Sequence, residues 1–323
     1  MGFSAAIRIA AALVGITGVA AIGGCGFGPG ESTEGRAELS VTREFGTIPM
    51  VDAMLDDPNT SDTVVRFLDE NADLESSYGD NFVDSIDGYS GTTSGGGDED
   101  WFFFVNGYYS DIGAGETKVR PGDRIWWDYR YWSAAYRVPA VVGSWPEPFL
   151  HGYGGERPDT VVECIDARPA CAGAVVALRG AGVEPRVEGP SRPAEHPDQL
   201  RVLVGTWDAL KDDAAVAQLE KGPGTSGVYA SFEPCDASTG LVVDDDHGRP
   251  ARVLTDGGLV AAVRDGEDEP TWVVTGTDAE AVGAAAGLLE PDDLRNRYAV
   301  AVSGGETIPA PTTGSVDLGA ECR

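Results

Sequence analysis

Cysteine and histidine are the side chains of this sequence with the most reactive chemistry. The 323 residues include five cysteines and three histidines. His151, His196 and His247 each lie in a Gly- or Pro-rich stretch, and no two of them have the spacing of a metal site. The sequence contains no Gly-x-Ser-x-Gly elbow, phosphate-binding loop or dinucleotide fingerprint. We find no catalytic motif, and we predict a protein that is not an enzyme and holds no metal or cofactor.

The cysteine count is odd, so at least one thiol cannot form an intramolecular disulfide. Six residues separate Cys164 from Cys171 across a predicted strand-to-helix turn, which favours a local disulfide. By elimination, Cys235 then pairs with Cys322. Four thiols allow three connectivities, so the other pairings stay open. A zinc site is the remaining alternative, but the spacing matches no zinc pattern.

The fifth cysteine, Cys25, follows an apolar segment at residues 9–24. As a helix this segment would reach about 24 Å, short of a hydrocarbon core of about 30 Å, so it is typical of a secretion signal. Its end, Ile22-Gly23-Gly24-Cys25, resembles a bacterial lipobox. The resemblance implies cleavage before Cys25, S-diacylglycerylation of its thiol and stable anchoring by acyl chains. The alternative is an ordinary signal peptide with an incidental Cys25.

The export signal sets the organisation and location that we expect. Residues 1–24 are the predicted lipoprotein signal peptide, and the Gly-, Ser- and Glu-rich residues 25–36 are a predicted flexible stalk. The lipid would hold the chain at the outer face of the cytoplasmic membrane. A formal net charge of −30, from 53 acidic and 23 basic residues, argues against a nucleic-acid partner.

Residues 37–155 form a predicted first domain that is rich in aromatic residues. Of the 27 aromatic residues in the chain, 15 lie between Trp101 and Tyr153. The predicted strand at 124–132 carries aromatic side chains on both faces, although a small sheet needs only one face for its core. The second face then packs on another domain or binds a ligand, and the sequence leaves both open. The candidate ligand-binding residues are Trp101, Tyr108, Trp126 and Trp132.

Several motifs of this domain occur in a characteristic order, namely a Thr-Val-Val-Arg-Phe-Leu helix, Trp101 to Gly107, Ile112 to Gly115, and Val119 to Trp127. This order resembles the transcobalamin-like C-terminal domain family, a β-grasp-like module of secreted and lipid-anchored bacterial proteins. Vertebrate intrinsic factor and transcobalamin use the corresponding domain as one half of a cobalamin clamp. The resemblance implies a β-grasp-like fold and a corrinoid-like ligand. It assigns no individual contact residue.

Residues 156–323 form a predicted mixed α/β domain, because strands alternate with helical segments at 170–182, 207–221 and 278–289. With the first domain this makes the chain α+β. The expected function is that of a lipid-anchored extracytoplasmic protein that binds a corrinoid-like small molecule for uptake and passes it to an importer component. The alternative is a structural or interaction lipoprotein of the envelope that has no small-molecule ligand and docks a partner through Trp126 and Trp132.

Overall fold

The computed structural model describes the chain in four stretches: residues 31–91, 98–189, 198–235 and 238–316. The predicted signal peptide, Cys25 and the first part of the predicted stalk lie outside these residues, as do His196 and Cys322. Within the described stretches, no helix is long and apolar enough to cross a membrane.

The described residues of the N-terminal body form one helix and eight strands. In chain order they are β1 (Arg36–Arg43), β2 (Ile48–Asp56), α1 (Val64–Asp69), β3 (Leu74–Ser77), β4 (Phe82–Ile86), β5 (Tyr89–Ser90), β6 (Glu99–Val105), β7 (Tyr108–Tyr109) and β8 (Arg124–Tyr131). Five strands form one sheet in the order β2-β1-β8-β6-β7, and β3, β4 and β5 form a small second sheet. In the larger sheet β1 and β8 are parallel, and the other pairs are antiparallel.

Local sequence explains the helix and the hairpin of this body. The side chain of Thr63 caps α1 by accepting a hydrogen bond from the Arg66 backbone N–H at 3.4 Å. The apolar residues of α1 are buried in the same core as the inner face of the sheet. Asn106 and Gly107 have φ values of +54° and +83°, as a type I′ turn requires. The hairpin predicted at Asn106-Gly107 is therefore confirmed.

The C-terminal body is larger. Its elements in chain order are β9 (Thr160–Cys164), α2 (Arg168–Gly180), β10 (Arg186–Glu188), β11 (Leu200–Val204), α3 (Trp207–Leu210), a 3-10 helix (Val216–Lys221), α4 (Pro223–Ser226), β12 (Ala230–Cys235), β13 (Ser238–Asp244), β14 (Pro250–Leu254), β15 (Gly258–Val263), β16 (Thr271–Gly276), α5 (Ala279–Ala286), α6 (Pro291–Leu294), β17 (Ala299–Ser303) and β18 (Glu306–Ala310).

Seven of these strands form a mixed sheet in the order β10-β9-β11-β16-β15-β17-β18. The first four are parallel, and the last four are joined by antiparallel pairing. Helices α2 and α5 pack on one face of this sheet, and the antiparallel sheet β12-β13-β14 contributes to the core on the other. The chain thus combines helices with mixed and antiparallel sheets, which agrees with the predicted α+β class.

The single helix predicted at 207–221 is wrong. The chain instead forms α3 and, after a break, the 3-10 helix. One carboxylate oxygen of Asp213 accepts the Ala215 backbone N–H at 2.9 Å, and the other accepts from the Arg201 guanidinium at 2.9 Å. Arg201 is buried and also pairs with the buried Glu163 at 2.8 Å. This buried ion network fixes a turn at Asp213 where helical periodicity alone predicts continuation.

The second face of β8 is covered by the C-terminal body. Trp126, Asp128 and Arg130 are at most 2% exposed. The Trp126 ring lies edge-on to the Tyr298 ring with centroids 5.1 Å apart, and both belong to one core that spans the two bodies. Of the two possibilities that the sequence leaves open for this face, the structure therefore has packing between the bodies.

Asp128 is the polar centre of this shared core. Its carboxylate accepts hydrogen bonds from the Thr42 hydroxyl at 2.7 Å, the Gly46 backbone N–H at 3.1 Å and the Tyr298 hydroxyl at 3.0 Å. Burial raises the pKa of Asp128 from 3.8 to about 6, although these hydrogen bonds favour the charged form. The native state therefore holds this proton more tightly than the unfolded chain does.

We expect Asp128→Asn to change how stability depends on pH. Between about pH 4 and pH 6 the folded carboxyl is protonated while the unfolded one ionises, so the Asp128 contribution to stability falls as pH rises. A shift of about 2 pKa units corresponds to about 3 kcal/mol. Relative to the wild type, the variant should therefore gain about that much as the pH rises from 4 to 6.5. Urea unfolding at several pH values measures the difference.

The matched control is Asp69→Asn, which removes an exposed carboxylate and should leave the pH profile unchanged. Parallel pH profiles for the wild type and Asp128→Asn would contradict the assignment.

A disulfide joins Cys164 and Cys171, with 5.6 Å between their Cα atoms, which confirms this predicted pair. It ties the end of β9 to the first turns of α2. Cys235 is also disulfide-bonded. Its predicted partner, Cys322, lies outside the described residues, so that pairing stays a prediction.

We expect the Cys164→Ala/Cys171→Ala variant to lower the free energy of unfolding by about 2 kcal/mol, because a short cross-link removes loop entropy from the unfolded chain. Urea unfolding under non-reducing conditions measures the loss. Val176→Ala, at an exposed position on α2, is the control. An unchanged urea midpoint in the double variant would show that the disulfide does not contribute to the free energy of unfolding.

Candidate functional site

A groove of about 470 Å³ lies beside β6. We call it the aromatic groove after the rings that line it, which are Phe82, Trp101, Phe102, Phe103, Tyr109, Trp127, Trp132 and Tyr136. Its volume falls within the usual range of small-molecule sites, about 300–1,000 Å³. Strand β7 pairs only with Phe104 and Val105, so among the described strands the first part of β6 has a neighbour, β8, on one side only. The groove occupies this edge.

Because successive side chains of β6 point to opposite faces of the sheet, aromatic rings lie on both faces at this edge. Trp101 belongs to the core beneath the sheet, whereas Phe102 faces the opposite way, under the Arg130 guanidinium at 4.0 Å from its ring centroid. Trp132 follows the end of β8 and meets Tyr136 edge-on at 5.6 Å. Tyr136 is 67% exposed, so this wall of the groove is open to solvent.

Two buried polar atoms belong to residues that line the groove and lack a hydrogen-bond partner within the described part of the chain. They are the indole Nε1 of Trp127 and the side-chain oxygen Oδ1 of Asn81. A buried donor or acceptor left unpaired costs about 1–3 kcal/mol. A ligand that supplied one acceptor and one donor here would recover this energy, which is an independent reason to regard the groove as a binding site.

Asp100 adds a carboxyl group to the groove lining. One of its oxygens accepts the Trp101 backbone N–H at 2.8 Å. Burial raises the pKa of Asp100, and the nearby Asp84 raises it further, against the effect of that hydrogen bond. The groove therefore offers flat rings for stacking, an indole donor, an amide acceptor and one carboxyl group, which is the chemistry of recognition.

The structure brings together two of the four predicted ligand-binding residues. Trp101 and Trp132 both line the aromatic groove. Trp126 is buried in the core shared by the two bodies. Tyr108 is buried too, stacked on Tyr153 with ring centroids 4.9 Å apart, and its hydroxyl donates to Glu269. Burial and Glu269 raise the pKa of Tyr108.

The other groove residues were missed in the sequence analysis. Phe102, Tyr109 and Tyr136 lie in the same aromatic-rich stretch as the predicted residues, so the aromatic clustering is a signal that could have found them. Asn81 and Phe82 reach the groove from β4 and the turn before it. No sequence pattern connects that turn to β6.

A separate group of possible metal ligands, Asp245, Asp246 and His247, has ligand atoms within 4.8 Å of one another. These atoms already have partners. Asp245 accepts from the Arg249 guanidinium at 2.9 Å, and the His247 ring nitrogen lies 2.7 Å from Asp246. The His247 ring also stacks on Tyr131 at 4.3 Å. The group closes the turn between β13 and β14.

Comparison with known proteins gives one family match. Residues 61–130 match a family described as a domain of unknown function (DUF4430), and this range contains α1 to nearly the end of β8. The matched range lies within the first predicted domain, residues 37–155. None of the curated proteins matches the chain.

One solved structure, from Ruminococcus gnavus ATCC 29149 and described as a candidate metal-binding protein, is similar to part of the chain. The two are 16% identical, and the match covers 30% of this chain and 98% of the other with a TM-score of 0.24. A score this low does not establish a common fold.

Proposed function

We propose that this chain is a lipid-anchored extracytoplasmic protein that binds a planar, corrinoid-like small molecule in the aromatic groove for uptake. The observation that carries the proposal is the groove itself, which Trp101 and Trp132 line together with Trp127, whose buried indole N–H has no partner within the described chain. Stacking on these rings and one hydrogen bond to Trp127 would hold a flat, polar-edged molecule.

The size of the groove limits how such a ligand would bind. A corrinoid, with its macrocycle and nucleotide tail, is larger than a groove of about 470 Å³. One edge of the macrocycle, or the base of the tail, would enter the groove, and the remainder would stay open to a second protein. This partial cover fits a protein that hands its ligand to an importer component.

A β-grasp-like fold for the N-terminal body is part of the same proposal. Its support is a mixed sheet in which the parallel strands β1 and β8 are central, antiparallel partners lie outside, and α1 packs against one face. This arrangement is the one that the transcobalamin-like resemblance implies.

Binding is tested with the soluble chain that starts at Gly26, by isothermal titration with cobalamin and with cobinamide, which lacks the nucleotide tail. We expect Trp132→Ala to weaken binding about tenfold, because a lost ring contact costs about 1–1.5 kcal/mol. Tyr78→Ala is the matched control, since Tyr78 is 86% exposed and does not line the groove.

Equal affinity for both ligands would place the macrocycle in the groove, and loss of binding with cobinamide would place the tail there. The absence of heat with either ligand would rule out the corrinoid proposal.

Lipid anchoring is tested independently of the groove. We expect metabolic labelling with an alkyne fatty acid to mark the wild type and to fail with Cys25→Ser, because the thiol of Cys25 is the proposed acyl acceptor. The Cys164→Ala variant lacks a different thiol and should keep the label. Label retained by Cys25→Ser would contradict the anchor at this position.

One observation favours a second candidate, an interaction lipoprotein without a small-molecule ligand. Among the described strands the first part of β6 pairs only with β8, so its other edge could accept an extended peptide. Of the two residues expected to dock a partner, Trp126 is buried against the C-terminal body, whereas Trp132 lines the aromatic groove. A peptide that protects β6 amides from hydrogen exchange, with no corrinoid binding, would favour this candidate.

A further inference from the structure

A second cavity, of about 710 Å³, lies where the start of the described chain meets the turn before β8. We call it the cationic cavity. Its polar lining includes Thr33, Asn59, Thr60, Lys118, Arg120 and His151. It shares no lining residue with the aromatic groove.

The positive charge of this cavity is unusual for the chain. The protein has a formal net charge of −30, and lysine occurs only at positions 118, 211 and 221. Some cations of the chain have acidic partners, as Arg252 has Glu306 at 2.7 Å and Lys211 has Asp208 at 2.8 Å. Within the described ranges, Lys118 and Arg120 form no ion pair with an acidic side chain, and the contact of the Arg120 guanidinium is with a backbone carbonyl.

The histidine of the cavity is held in one orientation. His151 Nδ1 lies 2.6 Å from a carboxylate oxygen of Glu147, which is buried, and the His151 backbone N–H donates to the other oxygen at 2.9 Å. The Nε2 atom is then left for a ligand. The ring packs on Gly122, whose φ is +92° and where any Cβ would overlap the imidazole.

Glycine also makes room for the Arg120 side chain. Gly155 has a φ of +91°, and a Cβ there would lie 3.0 Å from Arg120 Nε. The backbone is thus shaped around both His151 and Arg120 by residues that have no side chain. Both positions have positive φ, which glycine adopts without strain.

One carboxylate, Asp123, also lines the cavity, and it is hydrogen-bonded within the protein. Its two oxygens accept hydrogen bonds from the Asn106 amide at 2.9 Å and the Arg120 backbone N–H at 2.8 Å. Asp123 is 4% exposed, and burial raises its pKa to about 6. Its hydrogen bond to the Arg120 backbone N–H holds the turn that presents the Arg120 side chain.

We propose that the cationic cavity binds a phosphate-class oxyanion. The Arg120 guanidinium offers a planar fork of donors that matches phosphate oxygens, and Lys118 supplies a point charge beside it. Thr33 and Thr60 add uncharged hydroxyl donors to the lining. The inference does not depend on the proposed ligand of the aromatic groove.

Two sources could supply this group. One is a free phosphate or phosphate monoester, and the other is the phosphodiester of a lipid headgroup. Thr33 lies eight residues after Cys25, a distance that an extended chain covers in about 28 Å at most. A headgroup is therefore within reach if Cys25 carries the anchor.

The test uses the full-length chain in a phosphate-free maltoside detergent, titrated calorimetrically with inorganic phosphate. We expect Lys118→Gln and Arg120→Gln each to weaken binding at least tenfold, because a hydrogen bond to a charged group contributes about 1.5–3 kcal/mol. Lys221→Gln removes the same charge from an exposed position outside the cavity and should change nothing. Unchanged melting temperatures establish that the variants fold.

A second titration identifies the source, with dihexanoyl phosphatidylglycerol below its micelle concentration as the probe. Binding of this probe that Lys118→Gln abolishes assigns the cavity to a lipid phosphodiester, and binding of inorganic phosphate alone assigns it to a free phosphate. Absence of binding for both probes at millimolar concentration, or an equal loss in Lys221→Gln, would overturn the proposal. Corrinoid titrations of the same variants keep this outcome separate from that of the groove.

Discussion

Strand β8 has large side chains on both faces, and the rest of the structure follows from the need to cover both of them. Ile125, Trp127 and Tyr129 enter the core beneath the first sheet, and Trp126, Asp128 and Arg130 point the other way. A sheet with α1 on one side only would leave an indole, a carboxylate and a guanidinium facing water over an apolar surface. The C-terminal body removes that exposure, and Asp128 with Tyr298 supplies the polar contact that fixes how the bodies meet.

This cover also decides which aromatic surface remains for binding. Because the centre of β8 is occupied by the shared core, only its end and the neighbouring edge of β6 stay accessible, and the aromatic groove forms there. Residues 140–149, predicted as the end of the first domain, contribute Val142, Trp145 and Phe149 to the core under α2 and α5. The connecting segment thus packs with the body that follows it. The two bodies behave as parts of one packed unit, although each has its own sheet.

Local structure can be predicted well from this sequence, whereas contacts between residues far apart in the chain cannot. The Asn106-Gly107 turn, the alternation along β8 and the Cys164–Cys171 disulfide depend on neighbours in the chain, and each was predictable. The break at Asp213 was not, because it depends on Arg201 reaching across from β11. For the candidate site, aromatic clustering predicts Trp101 and Trp132. Nothing local assigns Trp126 to an interface or brings Asn81 to β6, since both facts belong to the tertiary fold.

The outer strands of the seven-stranded sheet have a consequence for association between copies of the chain. An exposed strand edge is a template on which another chain can pair, and proteins blunt such edges with short strands, charges and proline. At one border β10 is only three residues long and carries Arg186 and Glu188. At the other border β18 contains Pro309, which has no N–H to donate. Both borders therefore disfavour extension of this sheet by a strand from a second molecule.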